Sequence, residues 1–204
     1  MADRTHGIPA PATTSTVDPV TWDADTISGS RHEAVLFADV DLSDIEDKGA
    51  LFNGCTFRGV RFNASAHIDA AFTNCTFIGC NFFDVRLTRC KLVGSTFDRC
   101  TFDLASMEGG DWSLVNLPGA DLRKATFRGV RMREANLTGA RFDGATLRDT
   151  DLSGAAMHGA SFRGTDLRGS DLTSLDPVAC DVTDALIDVE QAMVIAAALG
   201  LRIG

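Results

Sequence analysis

The chain has 204 residues, 45% of them hydrophobic, which is enough for one domain with a dry core. Its formal charge of −9 argues against a grip on bare nucleic acid, which needs a surplus of lysine and arginine, but suits an acidic surface turned towards a basic partner. No early apolar run has signal-peptide length and none approaches the roughly 18 apolar residues of a bilayer span, so a soluble, cytoplasmic protein without membrane contact is expected.

Residues 1–30 mix proline, threonine, serine and alanine with little periodicity and read as a flexible N-terminal tail. Trp22 either docks on the end of a following solenoid, whose open apolar end needs a cap, or lies in solution. From Phe37 to Leu172 one side chain in every five is large and apolar, and every phenylalanine except Phe83 falls on that phase. Two residues before each large one stands a small or β-branched side chain, such as Val60, Ala70, Ala125 or Ala140. Two residues after it stands most of the glycine, such as Gly54, Gly59, Gly119 and Gly139.

Five is neither the strand period of 2 nor the helix period of 3.6, so neither element alone gathers these residues on one side. A short self-similar period indicates a solenoid in which each unit forms one side of a coil and then turns a corner. The fold class is therefore an all-β solenoid. Its core is built from Phe57, Phe62, Phe77, Phe82, Phe97, Phe102, Leu122 and Phe142. Four sides per coil gives about seven coils, a rod of roughly 34 Å at the 4.7–4.9 Å spacing of stacked strands. The repeat region is expected over 31–175.

Two positions break the row. Asp47 occupies a large-residue position, which predicts a first coil whose edge is open to water. His67 occupies another; it reads as a hydrogen-bonded core or corner histidine at a local bulge, with a ligand-binding or pH-sensing role as the other reading. Ile78, Phe83, Val93 and Leu104 fall on outward phases and read as scattered surface residues or, alternatively, a contact patch. All six cysteines (Cys55, Cys75, Cys80, Cys90, Cys100, Cys180) lie on the small-residue phase and read as small buried hydrophobes. No metal is expected, because paired Cys or Cys/His ligands at zinc spacing are lacking.

Past Leu172 the rhythm is expected to fail at Asp176 and Pro177, opening a capping and dimerisation module over 176–204. Within it, Asp188 reads as the N-cap of a short helix, Gln191 completes a capping box and Gly200 is the stop. The helix is apolar on nearly every side and must be covered all round. One side caps the last coil. The other packs on a second copy about a two-fold axis, through Val189, Ala192, Met193, Ile195, Ala196 and Leu199. Acidic residues gather in the first coil and near this module, where Asp151, Asp166, Asp171, Asp176, Asp181 and Asp184 form the candidate partner-binding surface. No nucleophile, base and orienting group converge by spacing and no GxGxxG, P-loop or HExxH motif occurs, so neither catalysis nor a cofactor is expected.

The segments GADLRKATFRG, EANLTGARFDG and GTDLRGSDL resemble the pentapeptide-repeat family, over about residues 35–174. That resemblance implies a right-handed quadrilateral β-helix and leaves function open, because members of the family do many things. The segments FRGVRFNASAHIDAAFTNCTF and LDPVACDVTDALIDVEQAMVIAAALGL are similar to the family's mycobacterial fluoroquinolone-resistance branch, related to the Qnr proteins. This implies a homodimer joined at its C-terminal modules that mimics duplex DNA. It also implies that the dimer binds the ATPase subunit of DNA gyrase, inhibits or modulates the enzyme, and reduces quinolone poisoning. The chain departs from the Qnr branch in lacking loops between coils. The competing reading is a repeat scaffold for a different protein partner; a third, self-protection against a gyrase-directed natural product, shares the target.

Overall fold

The computed structural model describes residues 10–17 and 27–202; Trp22 lies outside them. Each five-residue unit forms one side of a coil. In the unit centred on Phe57, that ring and the Cys55 side chain both point to the axis and are buried. Two residues on, at Gly59, the chain turns with φ +63°. Every such corner from Gly29 to Gly169 takes the left-handed conformation, and this is why glycine recurs there: a Cβ meets the following carbonyl oxygen in that conformation. The residue that opens a side is often Asp or Asn, whose side chain accepts the N–H two residues on, as Asp41 does from Ser43 (3.0 Å) and Asp171 from Thr173 (2.9 Å).

Four corners close a coil in twenty residues, so each residue lies on the one twenty further along. Phe37, Phe57, Phe77 and Phe97 are register partners in a five-stranded parallel sheet, side one. Side three stacks six strands from Glu46–Lys48 to Thr146–Arg148 and is continued by bridges at Asp166 and Leu186. Side four begins with Arg31–Glu33, Leu51–Asn53 and Ala71–Thr73 and continues by bridges to Asp171. Side two is held by bridges alone, joining Asp41, Arg61, Asn81 and Thr101, and again Asp121, Arg141, Ser161 and Asp181. The protein is thus a four-sided parallel β-solenoid. Its core is continuous, and all eight expected core side chains are buried in it. Stacked register partners put aromatic rings face to face, Phe57 over Phe77 at 4.9 Å and Phe77 over Phe97 at 4.7 Å.

The structure differs from the sequence reading at both ends. Ser15–Val17 is not a loose tail but pairs in parallel with Val35–Phe37, and Ile27 is fully buried. An uncovered edge of Val35–Ala38 offers backbone donors and acceptors, and β-branched Thr16 and Val17 suit it. At the other end the solenoid runs past 176. Only the side at 176–179 is irregular; Cys180, Val182, Ala185 and Ile187 keep the inward phase, and Asp181 and Leu186 pair with Ser161 and Asp166. The helix α1, Val189–Ala198, then caps the coil with the expected Asp188–Gln191 capping box, and the Gln191 side-chain amide donates to the carbonyls of Leu167 and Ser170, 2.7 Å each. Gly200 turns away with φ +76°.

Candidate partner-binding surfaces

The six acidic candidates near the C-terminal end lie on different sides of the rod. Asp151 and Asp171 are stacked partners on side four, Asp166 is on side three, Asp181 opens side two and Asp184 sits at the corner after it. Asp176 is exposed on the irregular segment. Three of them carry arginine partners: Asp151 with Arg133, Asp166 with Arg168 (2.8 Å) and Arg148 (4.0 Å), and Asp181 with Arg163 (3.0 Å). Hydrogen bonds from the Thr183 hydroxyl and N–H, then from Arg163, hold the Asp181 carboxyl down at about 2. The Arg168 guanidinium likewise lowers Asp166. Asp171, Asp176 and Asp184 form no ion pair among the described residues.

Helix α1 divides its apolar residues between two faces. Gln191 is buried against the last coil and Ile195 packs on the core beside a small apolar cavity lined by Leu167, Leu172, Val182 and Ile187. Val189 (80% exposed), Met193 (48%) and Leu199 (50%) point outward with Ala192, and Leu186, Val178 and Leu201 are exposed as well. Of the six interface candidates, Ile195 is therefore a capping residue, while Ala196 is half-buried between the two faces. A solvent-facing apolar helix is unusual on a monomer.

The two positions that break the apolar row meet each other. Asp47 and His67 are stacked partners on side three, and both are buried, so the expectation of a water-exposed edge at Asp47 is not met. His67 Nδ1 lies 3.1 Å from Asp47 Oδ2, and its Nε2 lies 3.1 Å from Ser65 Oγ. Ser65 donates to the Phe62 carbonyl (2.7 Å), and Asp47 Oδ1 accepts the Ala50 N–H (3.2 Å). Asp47 is thus tolerated inside because a histidine one coil on pairs with it, a relation the twenty-residue register makes legible only once the coil length is known. The serine, histidine and aspartate are in the order of a hydrolytic triad, yet Ser65 is fully buried and its hydroxyl is engaged by a carbonyl. No substrate atom reaches it, and the cluster is a core network.

The six cysteines are free thiols; Cys55, Cys75, Cys80 and Cys90 are buried, while Cys100 and Cys180 are half-buried. They point to carbonyls of the preceding coil, as Cys75 does to Phe52 (3.5 Å), and burial pushes the Cys90 thiol up to about 12. No group of three His, Cys, Asp or Glu side chains among the described residues is placed to hold a metal ion. No helix among them is long and apolar enough to cross a membrane. On the outward phases, Phe83 and Leu104 are exposed, Val93 is half-buried and Ile78 is buried.

A family model described as the pentapeptide repeat region matches residues 48–127 and 80–157. Among solved structures, full-length QnrB1, described as a plasmid-mediated fluoroquinolone resistance protein, is 22% identical, with 93% of this chain and 99% of that one covered and a TM-score of 0.51. HetL, a pentapeptide repeat protein involved in heterocyst differentiation regulation from the cyanobacterium Nostoc sp. strain PCC 7120, is 18% identical over 78% of this chain and 87% of that one, with a TM-score of 0.40. No curated protein sequence matches the chain. At 22% identity the likeness to QnrB1 is one of fold.

Proposed function

The chain belongs to the pentapeptide-repeat family, and from that premise we propose that it is a cytoplasmic DNA mimic that binds DNA gyrase through the ATPase subunit. Binding inhibits or modulates the enzyme and lowers its poisoning by fluoroquinolones. The observation that carries this reading is the combination of a four-sided solenoid in a chain of net charge −9 with an exposed apolar helix at one end. Joined through α1 about a two-fold axis, two such rods extend roughly 70 Å at the stacked-strand spacing, comparable to about 20 base pairs of duplex. The acids near the junction are then doubled at the centre of the particle, where a basic cavity shaped for DNA attracts them. The fold is shared with QnrB1, itself a fluoroquinolone resistance protein.

Because Asp151, Asp166 and Asp181 are ion-paired, Asp171, Asp176 and Asp184 are the carboxylates best placed to act on a partner. The test is a titration into gyrase supercoiling and quinolone-induced cleavage assays at two salt concentrations. Inhibition that weakens with salt and weakens again in the Asp171→Asn, Asp176→Asn, Asp184→Asn triple variant supports the reading. Supercoiling and cleavage that are indifferent to the protein would leave the alternative, a scaffold for another partner.

A further inference from the structure

The backbone ladder of side two is interrupted at one level. One coil before it, Phe82 N–H donates to the Thr101 carbonyl and Asp84 N–H to that of Asp103, both at 2.9 Å. One coil after it, Gly119 and Leu122 donate to Thr138 and Arg141, both at 2.8 Å, although the bond from Lys124 to Asp143 is still missing. Between them, the equivalent bonds from Arg99, Phe102 and Leu104 to Pro118, Asp121 and Arg123 are not formed, and Asp121 N–H does not reach the Cys100 carbonyl. The small inward residues agree: Cys80 and Ala140 are fully buried, but Cys100 and Ala120, facing this gap, are only half-buried.

The other three sides are closed at the same level. Asn116 donates to Ser95 (2.8 Å) on side one, Thr126 to Ala105 (2.9 Å) on side three and Asp111 to Cys90 (3.0 Å) on side four. On side four, opposite the gap, the backbone approaches closely at one position. Gly110 stands where the row has a small side chain, with φ +87°, and a Cβ there would lie 2.1 Å from the Cys90 carbonyl oxygen. Two residues on, Trp112 enters the core from side four. Among the described residues it is the largest fully buried side chain, stacked on Phe97 at 5.9 Å, and its indole N–H has no hydrogen-bond partner. In its column it stands between Leu92 and Met132, both smaller. A coil held close on one side and filled by an oversized ring is forced open on the other.

We infer that the solenoid is jointed at this level: the coils up to Thr101 and those from Asp121 form two stacked blocks that tilt about side four, opening and closing side two around the Trp112 wedge. The inference concerns the rod itself and holds whatever its partner is. A jointed rod fits a cavity less regular than a straight duplex requires, and it ties the exposure of Cys100 to the state of the joint.

Residue-resolved hydrogen exchange on the full chain tests it. The amides of Arg99, Phe102, Leu104 and Asp121 are expected to exchange about 100-fold faster than those of Phe82 and Asp84. Movement, as opposed to a fixed notch, also loosens the bonded amides beside the gap: Thr101 and Leu122 are expected to exchange about tenfold faster than Leu92 and Asp111 on side four. Protection of 99–104 equal to that of 79–84, or Thr101 and Leu122 as slow as Leu92 and Asp111, overturns the joint. A folded Trp112→Leu variant is expected to slow Phe102 and Asp121 about tenfold; unchanged exchange there would overturn the wedge, and if that variant does not fold the wild-type exchange still decides the joint.

Discussion

The coils before the side-two gap and those after it solve the same geometry with different materials. Before it, the core is aromatic: Phe37, Phe57, Phe77 and Phe97 stack in one column, Phe62, Phe82 and Phe102 in another. After it, the inward positions are mainly leucine, methionine and alanine, with Phe142 over Phe162 the one stacked aromatic pair. The corners differ in the opposite sense. Asp39, Asp69, Asp84, Arg89, Arg99, Leu104 and Leu114 hold left-handed backbone before or at the gap, whereas most later corners are glycine. A residue other than glycine, Asp or Asn in that conformation, such as Arg89, Arg99, Leu104 or Leu114, costs about 1–2 kcal/mol, and a stacked aromatic pair contributes about 0.5–1.5 kcal/mol beyond its buried area. The first block offsets strained corners with aromatic stacking; the second has less strain and needs less.

That comparison is broken most directly at Phe77, whose ring touches five others. Phe77→Ala is expected to cost about 3–5 kcal/mol in urea-induced unfolding, more than Leu137→Ala in the same column of the second block. Equal costs would show that the aromatic stacks contribute nothing beyond size.

The second test concerns the polar network that only the first block contains. Asp47→Leu leaves His67 buried without its carboxylate, and is expected to cost about 3 kcal/mol. The double change Asp47→Leu, His67→Leu extends the column that Leu87 continues and is expected to restore most of that loss. A double variant as unstable as the single one would mean that the network fixes the fold of the first coils in some way beyond mutual neutralisation.

Much of this was legible in the chain. The five-residue phase identifies the inward rows, the corner glycines and the place of all six cysteines, because each follows from local geometry repeated without slip. The capping box at Asp188 is equally local. The pairing of Asp47 with His67 is not: it spans a full coil and becomes visible only when twenty-residue neighbours are compared. The same comparison reveals that half of the acidic candidates are already bound by arginines one coil away, as with Asp181 and Arg163, or two residues along, as with Asp166 and Arg168. The end of the solenoid was placed too early because Asp176 and Pro177 occupy one irregular side, although the Cys180, Val182, Ala185 and Ile187 spacing that follows restores the phase. The gap in side two has no signature in the apolar rhythm, since Phe102 and Leu122 both keep it; its only traces are a glycine in a small-residue position and a tryptophan two residues later.

A smaller effect sharpens the strain side of the comparison. Leu104 is 51% exposed and holds a corner with φ +59°, so its side chain adds little packing to set against the backbone cost. Leu104→Gly is expected to stabilise the protein by about 1 kcal/mol, read as a raised urea midpoint. The glycine's larger unfolded-state entropy opposes this gain, and a lowered midpoint would show that the first block's corners are not strained in the sense argued above.

The smallest effect lies in a feature that the two blocks share. Asp41 is paired with Arg61 and Ser43, and Asp181 with Arg163 and the Thr183 N–H, in the same positions of side two at opposite ends of the rod. Both carboxyls are held below their ordinary range, Asp41 first by the Arg61 hydrogen bond and then by Ser43, Asp181 first by Thr183 and then by Arg163. A carboxyl lowered by folding contributes stability that is present above its unfolded value of about 3.9 and is lost as pH falls through the folded value, about 2 for Asp181. Both groups stand in water, where such pairs are worth little and are screened by salt. Asp181→Asn is therefore expected to lower the urea midpoint slightly at pH 7, to converge on the wild type only as pH falls below about 2, and to lose its effect in high salt. Asp41→Asn is expected to lower the midpoint comparably at pH 7. If one pair proved much stronger than the other, electrostatics as well as packing would separate the two blocks, and the contrast between aromatic stacking and corner strain would no longer be enough to describe them.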